Sequence, residues 1–263
     1  MRSLRWIFLV VLLVLPTSLS AQNVLVHDNP WGLGSTFESS WNDVFGVGGW
    51  SHYGYSGLNA ATLFSPANSF IYLEGGAATD VAFRSFVEGN ATTISNWVSG
   101  GGRLVLNAAT WGEWINTPFG LTITSDFFET TGNLSPGAEP LGQNWGYGSP
   151  GQQWVGRYFA HGEILGGSYY RLLQGQLGQA LLVSQVIGAG VVLTGALTPE
   201  YFWGVELGDP SPGAQALARN ILGGAAYYGQ GQVVPEPATV VLLGTGLLAL
   251  GIAARYRRRE EEE

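Results

Sequence analysis

Short apolar runs separated by glycine-rich turns dominate the middle of the chain. The runs Asn23–His27, Phe70–Glu74 and Arg103–Asn107 are bounded by Gly or polar residues, which predicts buried strands. Between the second and third runs, Asp80–Trp97 carries apolar residues at mostly helical spacing, with a break near Gly89. Strand, helix, glycine-rich stop and strand in this order predict a parallel sheet covered by helices.

The later part of the chain adds elements to this core. The alternation of apolar and polar residues in Phe119–Phe128 predicts an added strand or hairpin. Ala180–Val186 and Val191–Gly195 predict two strands joined through a glycine-rich turn, and Gly213–Tyr228 has the pattern of an amphipathic helix that closes the domain. The fold class expected is α/β, a three-layer, mostly parallel sheet with helices on both faces.

Composition narrows the classes of function. The chain of 263 residues has a net charge of -8, and it contains no Lys and no Cys. An acidic chain with scattered Arg argues against nucleic acid as a partner. The absence of Cys excludes disulfides and thiolate metal sites, and we expect no cofactor and no metal. The 40 Gly and 10 Trp leave an all-β surface domain as an alternative, which predicts no helix between Val81 and Trp97.

The N-terminus has the three parts of a signal peptide. Arg2 and Arg5 form a basic region, Trp6–Leu15 is apolar, and small polar residues lead to Ala21. The apolar part is too short to span a bilayer, which needs about 20 residues. Residues 1–21 are therefore predicted to be a cleaved export signal.

The C-terminus combines a Pro-Glu-Pro motif, an apolar stretch and a basic cluster. The motif residues are Val234, Pro235, Glu236 and Pro237, and the basic residues are Arg255, Arg257, Arg258 and Arg259. This order resembles the PEP-CTERM sorting signal, the substrate tag of exosortases in Gram-negative bacteria that make extracellular polysaccharide. The resemblance implies an exosortase as partner and a product at the cell surface or outside the cell.

Elementary geometry agrees with a single transmembrane helix at about 239–256. A helix of this length rises about 27 Å, close to the roughly 30 Å hydrocarbon thickness of a bilayer. The basic cluster favours a cytoplasmic C-terminus, so the precursor is expected in the inner membrane with its main domain outside. The expected organisation is a signal peptide at 1–21, an α/β domain at 22–232 and a sorting and anchoring segment at 233–263.

The middle domain also resembles the class I glutamine amidotransferase-like fold, which is flavodoxin-like. The segments that carry the resemblance are Ile94–Leu106, Gly188–Gly195, Pro199-Glu200 and the closing helix around Asn220. In that family a Cys nucleophile follows the strand that ends near Leu106, and a catalytic His precedes a Pro-Glu pair. This chain has Ala109 and Thr198 at the matching positions, so the resemblance implies a degenerate, non-catalytic site.

The remaining candidates for catalysis or metal binding are carboxylates and histidines near predicted strand ends. Glu74, Asp80, Glu113 and Glu200 lie near predicted strand ends, where an acid and a base of a hydrolase would be placed, although carboxylates there also cap helices. A metal site from His27, Asp28 and His52 is the other alternative, against ordinary polar loop residues.

Tryptophans just past a predicted strand end or on a glycine- and proline-rich stretch are candidates for stacking on sugar rings. Those singled out are Trp111, Trp114, Trp145 and Trp154. The alternative is that these rings complete the core, since each buries roughly 150 to 250 Å². The sequence thus favours an exported, exosortase-processed protein with a non-catalytic binding or structural domain associated with extracellular polysaccharide, and an extracytoplasmic hydrolase is the alternative.

Overall fold

A computed structural model describes residues 22–28, 34–76, 80–110, 112–125, 128–136, 153–199 and 212–227. The strands are β1 Gln22–Val26, β2 Trp50–Tyr53, β3 Asn68–Gly76, β4 Arg103–Ala109, β5 Ile115–Asn116, β6 Leu121–Ile123, β7 Glu129–Leu134, β8 Gln153–Ala160, β9 Ile164–Gly166, β10 Tyr170–Gln174, β11 Ala180–Ile187 and β12 Gly190–Gly195. The helices are α1 Gly34–Phe45, α2 Ala60–Leu63, α3 Asp80–Gly89, α4 Ala91–Ser99 and α5 Pro212–Tyr227. The predicted signal peptide and the predicted transmembrane helix lie outside these ranges.

The main sheet is half parallel and half antiparallel. Within the described ranges its nine strands run in the order β2-β1-β3-β4-β12-β11-β10-β7-β8. The five strands from β2 to β12 are parallel neighbours, and every pairing from β12 to β8 is antiparallel. A second sheet, β5-β6-β9, is antiparallel throughout. The expectation of a mostly parallel sheet is therefore corrected, while the mixed α/β class is confirmed.

The turn between β11 and β12 explains where the sheet changes direction. Gly188, in this turn, has a φ of 61°, a left-handed conformation that favours Gly. A connection this short can only return the chain antiparallel, because a parallel partner needs a long crossover. The exposed Val155 on the outer strand β8 is typical of antiparallel strands with one face towards solvent.

Helices cover both faces of the parallel half. Ile71 and Leu73 of β3 share one buried cluster with Phe83 of α3 and Ile94 of α4. Phe70 and Tyr72 point to the opposite face, because side chains alternate along a strand. There the Trp41 ring of α1 lies 5.7 Å from the ring of Phe70 and 6.2 Å from that of Tyr72. The helices α3 and α4 also rule out the all-β alternative.

The small sheet extends the same core. Ile115 of β5, Ile123 of β6 and Ile164 of β9 are fully buried and belong to the cluster that contains Phe83 and Ile94. Strand β6 falls within the segment that was predicted to add a strand or hairpin. None of the helices in the described part of the chain combines the length and apolarity that membrane crossing requires.

Candidate functional site

Buried polar groups gather where the parallel strands end. Glu74 lies near the end of β3 and is 1% exposed, and Asn107 pairs with it on β4. The Nδ2 atom of Asn107 lies 3.0 and 2.9 Å from the two carboxylate oxygens of Glu74. Ligands of open α/β sheets bind beside such strand ends. The fold therefore favours a functional site at this edge.

Asn107 also binds the segment that follows β12. Its Nδ2 donates to the backbone oxygen of Leu197 at 2.9 Å, and its Oδ1 accepts from the backbone N–H of Leu197 at 3.0 Å. One amide thus joins the ends of β3 and β4 to the segment after β12. A polar residue directly after an apolar strand was the sequence signal for this position, but its role was not predicted.

Tyr55 and Asp28 continue the polar edge on the side of β1 and β2. The hydroxyl of Tyr55 donates to the backbone oxygen of Glu74 at 2.9 Å, and Asp28 Oδ1 accepts from the Tyr55 N–H at 2.8 Å. Burial, reinforced by the charges of Glu74 and Asp28, raises the pKa of Tyr55 well above its usual range. The phenol therefore stays protonated and acts as a fixed donor.

The two histidines of the metal hypothesis stack on each other. The rings of His27 and His52 lie 4.0 Å apart between centroids, and His52 Nε2 is 3.2 Å from the backbone oxygen of His27. Burial first, and then the neighbouring His52, lowers the pKa of His27 to about 4. Asp28 is directed to Tyr55 instead. No group of three His, Asp or Glu residues in the described ranges is arranged to hold a metal ion.

A third histidine, His161, reaches the same edge from the antiparallel half. His161 follows β8, and its backbone N–H donates to the oxygen of Ala196 at 3.1 Å. Its ring lies 4.8 Å from that of Phe128 and 5.7 Å from that of Tyr158. Burial lowers the pKa of His161 to about 4, so the ring is neutral at pH 7. Sequence reasoning did not assign His161 to this edge, because the antiparallel pairing that brings it there was not predicted.

Ala109 and Thr198 both lie at this edge. Ala109 is the last residue of β4, and Thr198 follows Leu197, the residue that Asn107 binds. Both are buried. The hydroxyls of Thr194 and Thr198 find no hydrogen-bond partner in the part of the chain that the structure describes. The edge thus contains an amide, a carboxylate and two threonine hydroxyls within the protein interior.

The other candidate carboxylates are placed differently. Glu113 is 43% exposed and forms an ion pair with Arg84 of α3, which also contacts Glu88. The side chain of Asp80 and all of Glu200 lie outside the described residues. The described contacts therefore do not bring Glu113 into the Glu74 cluster.

Of the four tryptophans proposed for glycan contact, the structure describes two. Trp154 of β8 is 2% exposed, so its ring belongs to the core. Trp114 is 50% exposed. Trp111 and Trp145 lie outside the described residues, as do the sorting motif and the basic cluster.

Some solved structures resemble part of this chain at low sequence identity. An exo-beta-1,4-mannosidase, Op5Man5, from Opitutaceae bacterium strain TAV5 is 12% identical with a TM-score of 0.45, over 77% of this chain and 35% of that one. A beta-galactosidase from Bacillus circulans sp. alkalophilus is 12% identical with a TM-score of 0.48, over 81% of this chain and 31% of that one. This chain thus spans about a third of the length of either glycosidase.

The cytoplasmic protein STM1381 from Salmonella typhimurium LT2 is 10% identical with a TM-score of 0.51, over 78% of this chain and 99% of that one. This likeness shows a common fold and nothing about activity. None of these likenesses supports the amidotransferase-like assignment of the middle domain. The degenerate site at Ala109 and Thr198 therefore stays a hypothesis.

Comparison with curated protein sequences gives no match. Comparison with protein families gives one match, in which residues 233–259 fit the PEP-CTERM protein-sorting motif. The matched segment contains the Pro-Glu-Pro motif and the basic cluster. The chain therefore carries the sorting signal of an exported protein that is anchored as a precursor and processed by an exosortase.

Proposed function

We propose that the chain is the precursor of a cell-surface or secreted protein whose α/β domain is a non-catalytic binding or structural module associated with extracellular polysaccharide. The sorting motif at residues 233–259 supports the export and processing steps. The polysaccharide association comes from the resemblance to sorting signals of polysaccharide-producing bacteria. The non-catalytic role of the domain is supported by the contacts of Glu74 where the parallel strands end.

The hydrogen bonds from Asn107 to Glu74 are the main observation in favour of a non-catalytic role. A general base must come within about 2.6–3.2 Å of the proton that it abstracts. Both oxygens of Glu74 accept from Asn107 at 2.9–3.0 Å, and the residue is 1% exposed. A carboxylate held in this way stabilises the strand ends and offers no open face to a substrate. The hydrolase alternative would require Glu74 to leave this contact.

Processing can be tested with the full chain in a Gram-negative host that has or lacks an exosortase. With the enzyme, we expect a mature product that lacks the segment after about Pro237, visible as a loss of mass. Changing both Pro235→Ala and Pro237→Ala should leave the chain at full length and bound to the membrane. The matched control is Pro66→Ala with Pro136→Ala, two exposed prolines outside the motif. Equal processing of the two double variants would contradict the proposal.

The polysaccharide association needs a separate measurement. In a host that secretes polysaccharide, the mature product should cofractionate with it and should be released by enzymes that digest that polysaccharide. A product that stays in the same fraction after digestion would show that the association is wrong, whatever the outcome of the processing test.

A further inference from the structure

A groove opens at the edge of the sheet opposite to Glu74. It has a volume of about 580 Å³ and lies between α4 and the turn from α2 to β3, where β3 and β4 begin. Its lining residues are Phe64, Pro66, Asn68, Ser69, Thr93, Asn96, Trp97, Gly100, Gly101 and Gly102. A volume of this order falls within the range of small-ligand sites, about 300–1,000 Å³.

The lining is neutral and contains both rings and hydrogen-bonding groups. None of the described residues that line it is Asp, Glu, Arg or Lys. A charged ligand would find no counter-charge there, and a purely apolar one would cover amide and hydroxyl groups without satisfying them. A ligand with an apolar face and neutral hydroxyls satisfies both parts of the lining. Pyranose rings have this character.

The ring of Trp97 is held in place before any ligand arrives. Its Nε1 donates to the backbone oxygen of Ser65 at 3.3 Å, and its centroid lies 5.5 Å from that of Phe64 at an angle of 60°. Gly102 allows the indole to lie against the backbone, because a Cβ at that position would come within 2.4 Å of the ring. A fixed ring loses little conformational entropy on binding.

Hydrogen-bonding groups flank this ring. Thr93 and Asn96 lie four residues and one residue before Trp97 on α4, and Ser69 lies at the start of β3. The side chains of Ser69, Thr93 and Asn96 enter no hydrogen bond with another residue in the described ranges, so they are available to ligand hydroxyls.

We propose that this groove binds a neutral saccharide, with the face of one pyranose unit stacked on Trp97 and its hydroxyls bonded to Asn96, Thr93 and Ser69. The inference deepens the proposed function, since it assigns the polysaccharide association to one site and to uncharged sugars. It places that site at Trp97, which lines the groove and is not among the four tryptophans proposed from the sequence.

Binding can be measured by titration calorimetry on the full chain, purified in a detergent without a sugar headgroup. The probes are cellohexaose, mannohexaose and laminarihexaose, with hexagalacturonate as the charged counterpart. We expect saturable binding of at least one neutral probe and weaker binding of hexagalacturonate. Trp97→Ala should weaken binding of the neutral probe by at least about fivefold, since aromatic contacts contribute more to the binding free energy than the area they bury. Trp97→Phe, which keeps a ring, should recover part of the affinity.

Tyr53→Ala is the matched control, because it removes an exposed aromatic ring outside the groove and should leave affinity unchanged. Near-ultraviolet circular dichroism establishes that each variant is folded. The proposal is overturned if the folded wild-type chain binds none of the three neutral probes, if Trp97→Ala binds as tightly as wild type, or if hexagalacturonate binds more tightly than they do. These outcomes are independent of tag processing, so a failure here differs from a failure of sorting.

Discussion

Asn107 holds the carboxylate of Glu74 through a single nitrogen, with Nδ2 at 3.0 Å from one carboxylate oxygen and 2.9 Å from the other. The two residues are 33 positions apart in the chain and are direct partners on neighbouring strands. The same amide binds Leu197, 90 positions further on, through both its donor and its acceptor. One side chain thus fixes the relative positions of three segments.

The first prediction changes this amide to a carboxylate. In Asn107→Asp two buried acids would face each other and the donor to Glu74 would be lost, so we expect a loss of roughly 3–5 kcal/mol in the free energy of unfolding. Like charges raise the pKa of one member of such a pair, so the loss should be larger at pH 8 than at pH 5. Thermal or urea unfolding at the two pH values measures it.

The control for this change is Asn96→Asp at an exposed position. It introduces the same charge where solvent screens it, and it should alter stability by less than about 0.5 kcal/mol. If Asn107→Asp were as mild as Asn96→Asp, the amide would not be holding the three segments.

The second prediction concerns the neutral histidines. The pKa of His27 and of His161 is about 4 in the folded chain, below the ordinary value of 6.5. Between these values the unfolded chain binds more protons than the folded one, so stability should be complete above pH 6.5 and should fall as the pH drops towards 4. The slope is at most about 1.4 kcal/mol per pH unit for each histidine, and less for the partly exposed His27 because solvent screens it.

Urea unfolding at pH 7.5, 6.0 and 5.0 measures this slope, and ring-preserving variants assign it. The double variant His27→Phe with His161→Phe should lose less stability between pH 7.5 and pH 5.0 than wild type does. A double variant with the wild-type slope would mean that carboxylates alone cause the acid sensitivity.

The third prediction compares two tryptophans in the same stability assay. Trp41 is fully buried between α1 and the sheet, where its ring contacts those of Phe45, Trp50, Phe70 and Tyr72. Trp41→Ala should cost about 3–5 kcal/mol through lost burial and the cavity it leaves. Trp114 is half exposed, so Trp114→Ala should cost about 1 kcal/mol or less. Similar losses for the two variants would contradict the burial pattern.

The parallel half of the sheet was predictable because its strands are continuous apolar runs. Leu104–Leu106 of β4 and Phe70–Leu73 of β3 are buried on both faces, and the helical spacing of Asp80–Trp97 appears as α3 and α4. In the antiparallel half, β11 and β12 were predicted as strands joined by a glycine-rich turn, but β7, β8 and β10 were not. The apolar patterns of these three strands are weaker, and β7 pairs with β10 across the intervening strands β8 and β9. The buried ring of Trp154 shows the same limit, because tryptophan alone does not distinguish a core position from an exposed one.

The site was only partly predictable for a related reason. Glu74 was identified from its place after an apolar strand, but a carboxylate there fits both catalysis and structure until its partners are known. Asn107 decides between these readings through side-chain contacts with residues that lie far from it in sequence. No local pattern contains that information.

The last prediction separates the structural reading of Glu74 from the hydrolase alternative. Glu74→Gln keeps the length of the side chain and an oxygen that can accept from Asn107, but it removes the charge. For a non-catalytic domain, the full-length protein should turn over no substrate in a panel of chromogenic glycosides and neutral polysaccharides, before or after the change. A charge-assisted hydrogen bond becomes a neutral one, so unfolding free energy should fall by roughly 1–2 kcal/mol. Glu113→Gln, at the exposed ion pair with Arg84, is the control and should change stability by less than about 1 kcal/mol. Wild-type turnover that Glu74→Gln lowers by about 10²-fold or more, in a protein that remains folded, would instead identify Glu74 as an acid or base and replace the binding-module proposal with the hydrolase.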